Sequence, residues 1–255
     1  MKIASWNVNG IRARIEHVTA WIESNQPDVL ALQETKVMDD MFPHDAFTSL
    51  GYEASIFGQK SYNGVALLSK KPPKECKRGI DGFVDEQTRV ISGIYEGITV
   101  IDVYIPNGQS VGSEKFEYKM KWLKGLHHYL AALIQTNEKI IILGDFNIAP
   151  QEQDVHDPEV WKGKVLCSDE ERAWLKKIEQ LGFIDSFRLF DQKEGLFSWW
   201  DYRMASYRRK MGMRIDLILV SEALRKNCIK SYIDEAPRAL ERPSDHTPVL
   251  IELSL

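Results

Sequence analysis

The stretch KIIILGDFN, Lys139 to Asn147, sets four consecutive apolar residues against Gly144, Asp145 and Asn147. Such a run reads as a strand buried on both faces, yet its end carries a carboxylate and an amide two residues apart. Oxygen-bearing side chains aimed by a rigid strand suit metal or phosphate chemistry, although both residue types also bond the backbone in ordinary turns. The pattern recurs. Asn7 and Asn9 follow the run that begins at Ile3, Glu34 follows VLALQ, and Tyr104 and Asn107 lie in YIPNG. Asp216 in RIDLILVS and the Asp245–His246 pair in PSDHTPVLIEL stand ahead of their apolar runs. Where a sheet has antiparallel neighbours, strand starts and strand ends meet at one edge. Two such sheets packed face to face would gather all these side chains on a single rim.

The chemistry open to that rim follows from the residue types. Glu34 and Asp145 supply hard anionic oxygens, and Asn7 and Asn147 add neutral ones, a set that suits Mg²⁺ or Mn²⁺ better than zinc. No histidine pair at metal-ligand spacing competes. Asp216 could hydrogen-bond His246, fixing its tautomer and raising its basicity. Tyr104 and Asn107 could donate to a phosphate, with a strand-then-turn role equally natural for YIPNG alone. A metal, a carboxylate to hold water, a His/Asp dyad and neutral phosphate donors together describe phosphoester hydrolysis.

The elements that must position these groups are legible as short runs with short connections. Strands are predicted at Ile3–Val8, Val29–Gln33, Ala54–Phe57, Gly64–Ser69, Val90–Tyr95, Ile98–Ile105, Ile140–Gly144, Phe183–Asp185, Arg214–Val220, Ile229–Ile233 and Val249–Leu253. Helices are predicted at Ile11–Ser24, Glu114–Gln135 and Asp169–Leu181. The last shows a capping box, Ser168 with Glu171, and a closing Gly182. Its Trp174, Ile178 and Leu181 recur at helical spacing and read as core.

Composition excludes several classes. Of 255 residues, 44% are hydrophobic and 27% charged, as in an ordinary globular protein. Cys76, Cys167 and Cys228 stand far apart, without disulfide or zinc spacing, which fits a reducing compartment. No signal-peptide core and no membrane-length apolar run is present, so a cytoplasmic protein is expected. The formal charge of -4 argues against indiscriminate polyanion binding. Basic residues nevertheless cluster at Lys70–Arg78, at Lys115, Lys119, Lys121 and Lys124, and at Arg203–Lys210. The first two clusters read as solvated faces. The third interleaves aromatics, methionines and glycine with its charges, a mix that can stack on and neutralise nucleic acid.

With these residues assembled, the sequence resembles the exonuclease III family of DNA-repair nucleases, within the endonuclease/exonuclease/phosphatase superfamily. The matching stretches are SWNVNGIRAR, DVLALQETKVMDDMFP, GYEASIFGQKSYNGVALLSK, YIPNG, GDFNIAP, FSWWDYR, GMRIDLILVS and PSDHTPV, in family order from residue 5 to 248. The resemblance implies a four-layer αββα sandwich of two packed mixed β-sheets flanked by helices, in one domain over residues 1–255. It implies Glu34 as principal Mg²⁺ ligand, with Asn7, Asp145, Asn147 and Asp245 close enough to hold a metal. It implies Asp145 as the group that orients or deprotonates the attacking water, and Asn147 as the amide that holds the phosphate. His246 with Asp216 matches the dyad that polarises the phosphate, and Tyr104 a tyrosine that donates to it or assists the leaving oxygen. Asn107 stands where relatives have Asn or Gln. Trp199, Met213 and Ile215 resemble the apolar walls of a pocket for a base-less sugar. The implied activity is Mg²⁺- or Mn²⁺-dependent hydrolysis of duplex DNA 5′ to abasic sites and at blocked 3′ ends, by a monomer with no membrane partner. A superfamily phosphatase with a non-DNA substrate and a catalytically silent DNA-binding scaffold are the alternatives. The paired carboxylates and the His/Asp dyad weigh against the silent form.

Overall fold

The computed structural model describes residues 1–255. Twelve strands form two six-stranded mixed sheets. The first is built from β1 (Lys2–Asn7), β2 (Val29–Gln33), β3 (Glu53–Phe57), β4 (Val65–Ser69), β11 (Cys228–Ile233) and β12 (Val249–Leu253), in the order β11-β12-β1-β2-β4-β3. The second holds β5 (Cys76–Arg78), β6 (Val90–Tyr95), β7 (Ile98–Tyr104), β8 (Ile140–Asp145), β9 (Phe183–Asp185) and β10 (Asp216–Ser221), in the order β5-β6-β7-β8-β10-β9. The helices are α1 (Ile11–Asn25), α2 (His44–Thr48), α3 (Glu114–Leu133), α4 (Pro158–Trp161) and α5 (Asp169–Gln180).

Three apolar interfaces make four layers. Between the sheets, Ile3, Ala31 and Leu67 of the first meet Val100, Ile141 and Val220 of the second. Alternate residues of the same strands point outward. Trp6, Leu30 and Leu68 thus pack under Val18, Trp21 and Ile22 of α1 and Phe47 of α2. On the other side Ile101, Ile142 and Leu219 pack under Trp122, Leu126 and Leu130 of α3 and Leu175 and Ile178 of α5. Strands covered on both faces must be apolar throughout, which is why IIIL and LILV lack alternation. The αββα sandwich expected from the resemblance is therefore present.

Most predicted elements stand, with ends shifted by one or two residues. The short helices α2 and α4 and the strand β5 were not anticipated; all three residues of β5 are exposed at the edge of a sheet, so it carries no hydrophobic signal. In α5, Ile178 is buried as expected, while Trp174 and Leu181 are only partly buried against the same core. Trp174 instead lies under the Lys177 ammonium, 3.9 Å from its ring centre.

Register is what brings the rim together. The pair β7–β8 is parallel and sets Tyr104 opposite Asp145; β8–β10 is antiparallel and sets Asp216 opposite the same Asp145. In the first sheet β1 and β2 run parallel with Asn7 opposite Gln33, one residue before Glu34. Gly144 makes the approach of β7 and β8 feasible at this point. Its φ is 140°, and a Cβ there would fall 1.9 Å from the Val103 carbonyl oxygen, a clash that only glycine avoids.

Candidate active site

Asn7 is the link between the sheets. Its Nδ2 donates to Glu34 Oε1 and to Asp145 Oδ2, both at 2.9 Å, so one amide fixes a carboxylate from each sheet. Glu34 stands just past β2 with φ of 52°, a left-handed conformation uncommon for glutamate. The turn is held by its own backbone: Gly10 N donates to Glu34 O at 2.7 Å and Thr35 N to Gly64 O at 3.0 Å. Lys36 Nζ lies 2.8 Å from Glu34 Oε2, leaving that carboxylate only partly exposed.

His246 is buried, and its Nδ1 lies 2.8 Å from Asp216 Oδ2. Its Nε2 is 3.7 Å from Asp145 Oδ2, beyond hydrogen-bond length, so that nitrogen keeps a free position towards the rim. Burial pulls the imidazole towards the neutral form, but Asp216, Asp145 and Asp245 outweigh it and raise its pKa. Asp145 is raised above the usual carboxylate range, by burial first and then by Asp216 and Glu34, with His246 opposing. The dyad is braced from behind: Ser198 Oγ accepts from the backbone N–H of Ile215 and Asp216 at 3.1 and 3.0 Å. Ser244 Oγ in turn accepts from His246 N at 3.2 Å and donates to Asn7 O at 2.7 Å.

Asn147, with φ of 48°, donates through Nδ2 to Ile105 O and accepts from Asn107 Nδ2, each at 3.0 Å. One Nδ2 proton of Asn147 is left over. Tyr104 is raised well above an ordinary phenol by burial and by the Glu34 and Asp145 charges, so it keeps its proton. The Arg89 guanidinium stacks 4.7 Å from the Tyr104 ring centre. A groove of about 950 Å³ opens beside Tyr104 and Asn107, walled by Arg89, Lys115 and Arg203.

The remaining expected residues fall into two groups. Asp245 lies on the rim but with its oxygens engaged, one by Asn9 Nδ2 at 2.8 Å and the other by Trp199 Nε1 at 3.0 Å. Trp199 is half-buried, its ring centre 6.5 Å from that of His246. Met213 and Ile215 are not surface walls: they are 0% and 1% exposed in a cluster with Val155 and Leu166 on which Trp199 packs. They back the tryptophan, because the strand-like bridges of Met213 with Trp199 and Val155 cover that segment from both sides. Of the basic clusters, Arg203, Arg208, Arg209 and Lys210 are exposed as a nucleic-acid face requires, but Lys119 is wholly buried rather than solvated. Lys119, Ser198 and Ser244 escape a reading by residue type. For Lys119 a signal exists: it falls three residues after Phe116 and four before Leu123, on the buried stripe of α3.

The donor set fits a hard divalent cation. Glu34, Asp145 and His246 each offer a ligand atom within 4.8 Å of the others. Of these, the two carboxylates, bridged by Asn7, could supply hard oxygen ligands to such an ion. Four carboxylates, Glu34, Asp145, Asp216 and Asp245, converge on two cationic side chains, Lys36 and His246, and the buried Asp216 Oδ1 has no hydrogen-bond partner. That surplus of negative charge is what a bound cation would relieve.

A fold of two sheets between helices, with a rim of carboxylates, amides and a His/Asp dyad, defines a phosphoester-hydrolase class, and the comparisons agree. Residues 4–246 match the endonuclease/exonuclease/phosphatase family, and the chain belongs to that family. It is 41% identical to the exodeoxyribonuclease III of Haemophilus influenzae, over 99% of each chain. Among solved structures it resembles a 3′ phosphatase, NExo, from Neisseria bound to a product DNA hairpin, with TM-score 0.98, 41% identity and full coverage of both chains. It also resembles an AP endonuclease from Archaeoglobus fulgidus, with TM-score 0.96, 37% identity and full coverage of both chains. The likeness to exonuclease III read from the motifs is thereby borne out.

Proposed function

We propose that the protein is a Mg²⁺-dependent DNA-repair nuclease, hydrolysing duplex DNA 5′ to abasic sites and at 3′ ends, where it also removes 3′-phosphates. The observation that carries this reading is the placement of Asp145 between the two halves of the rim. Its Oδ2 is tied through Asn7 to Glu34 and faces His246 Nε2. A water held at Asp145 would lose its proton to that carboxylate as it attacks phosphorus in line.

The other groups act on the phosphate. His246, kept protonated by its carboxylate neighbours, donates from Nε2 to a phosphate oxygen while Asp216 holds the ring at Nδ1. The spare Nδ2 proton of Asn147 and the Tyr104 hydroxyl donate to the other oxygens or the leaving group. All of them sit on strand ends or braced turns, so they need no reorganisation as charge develops. Glu34 and Asp145 would hold a divalent cation, which when bound would add positive charge near the same oxygens. Duplex DNA is the substrate class favoured by Arg203, Arg208, Arg209 and Lys210, four exposed cations on one loop in a chain of net negative charge. No helix is long and apolar enough to cross a membrane, and the three cysteines form no disulfide with one another.

The test is direct. The protein is incubated with abasic duplex, 3′-phosphate nicked duplex and plain recessed duplex, each with Mg²⁺ and with chelator. Cleavage in Mg²⁺ and none in chelator is expected for all three. No cleavage of any substrate in Mg²⁺ or Mn²⁺ would sink the reading.

A further inference from the structure

Lys119 was grouped with exposed lysines by sequence, yet its side chain and that of Glu171 are both 0% exposed. Its ammonium has three donors, and all three are used. One reaches Asn147 O at 2.7 Å, one Asn107 O at 3.1 Å, and the third the Glu171 carboxylate. The two carbonyls belong to the two turns that carry the phosphate-side amides, and those amides are themselves bonded, Asn107 Nδ2 to Asn147 Oδ1.

Glu171 is equally saturated. Oε1 accepts from Leu166 N at 3.0 Å as well as from Lys119, and Oε2 accepts from Ser168 N at 3.0 Å and Ser168 Oγ at 2.6 Å. The capping box that starts α5 is thus also the counterion of a lysine on α3. Burial pulls the Lys119 ammonium towards losing its proton, and the Glu171 charge opposes this. The stem of Lys119 is confined as well: a Cβ on Gly108 would come within 3.1 Å of its Cδ.

From this we infer that Lys119, neutralised by Glu171, is a positioning residue for phosphoester hydrolysis. It draws the Asn107 and Asn147 turns together from beneath, so that the Asn147 amide meets the phosphate at a fixed angle. A buried ammonium needs three acceptors wherever it sits, and here two of the three are carbonyls of the turns that carry Asn107 and Asn147. Apolar residues of similar volume serve stability as well as a buried ion pair does, but they cannot donate to carbonyl oxygens. The inference rests on the proposed phosphoesterase activity and deepens it by assigning a role to two residues outside the rim.

The test uses Lys119→Met with Glu171→Gln in one chain, which removes both charges and retains an amide oxygen for the Ser168 cap. Phosphate release from 3′-phosphate duplex, Mg²⁺ half-saturation and the melting temperature are measured beside the parent. The expected result is a folded variant, its melting temperature lowered by the two carbonyls left without a donor, with a kcat at least about tenfold lower at a temperature where both proteins are folded. KM and Mg²⁺ half-saturation should stay within about threefold, because the loss falls on the transition state. A folded variant with kcat within about twofold of the parent would overturn the inference, whatever its melting temperature. Should the double variant not fold, Lys119→Gln with Glu171→Gln replaces it, one amide still reaching a carbonyl. An intermediate kcat supports the tether, and a parental one removes it. A parent that releases no phosphate ends the underlying activity instead, so the two failures are told apart.

Discussion

Asp145 and Asp216 face each other as direct partners across the antiparallel β8–β10 pair. Two carboxylates at that distance repel, and the arrangement persists because His246 reaches both, with Nδ1 on Asp216 and Nε2 towards Asp145. The imidazole therefore lies between the two carboxylates, bonded to Asp216, and in the proposed reaction its Nε2 is the phosphate donor.

Replacing Asp216 by Asn should weaken that bond. The amide carries no charge to hold His246 protonated, so the histidine pKa should fall and turnover should drop by on the order of 10²-fold or more. NMR titration of the His246 ring and steady-state rates on abasic duplex measure the two effects. A parental rate with a shifted histidine would remove the dyad from the chemistry.

Glu34→Gln tests the metal. Glu34 meets Asp145 only through Asn7, so an amide oxygen in its place keeps the framework and removes one anionic ligand. Mn²⁺ binding followed by electron paramagnetic resonance should weaken by about tenfold or more, with the circular dichroism spectrum unchanged. Equal affinity in both proteins would take Glu34 out of the site.

In the proposed reaction selectivity would fall to Trp199, since Met213 and Ile215 lie behind it. Extruding an abasic sugar costs less than extruding an intact nucleotide, and Trp199 is the apolar surface left to receive it. Trp199→Ala should lower abasic incision relative to 3′-phosphate removal by roughly tenfold, the scale of one lost apolar contact. An unchanged ratio in a folded variant would mean that the pocket wall is elsewhere.

A fourth expectation concerns pH and stability. Asp102 is fully buried, and burial raises its pKa well above the carboxylate range, with Gln33 donating to it at 2.6 Å and only partly opposing the shift. A carboxyl whose folded pKa is raised contributes stability that is complete below its unfolded value of about 4 and is lost as pH rises towards the folded one. Asp102→Asn removes that loss, and its amide can pair with Gln33 Oε1, which otherwise has no partner. Urea unfolding should show the variant more stable than the parent at pH 8, with the gap closing as pH falls towards 4. A gap that stays constant with pH would show that Asp102 does not change protonation on unfolding.

The amino-acid sequence by itself determined eleven of the twelve strands and which of their ends carry the candidate site residues. A strand covered on both faces must be apolar, so Asp145, Glu34 and Asn7 stand out where runs such as IIIL and VLAL give way. It also showed the Asp216 and His246 pairing as an option, because both precede apolar runs and so begin strands or lead into them. Only the tertiary structure decided the rest. Whether Asp145 faces Asp216, Tyr104 or both depends on strand order and register, which are set by contacts between residues tens of positions apart. β5 left no trace because an exposed edge strand needs no apolar residues. Met213 and Ile215 moved from wall to backing because burial depends on what covers a segment, here Trp199 and Val155. Lys119 differs from its neighbours Lys115, Lys121 and Lys124 only in its helix face, and Glu171, 52 positions away, makes that face habitable for a charge.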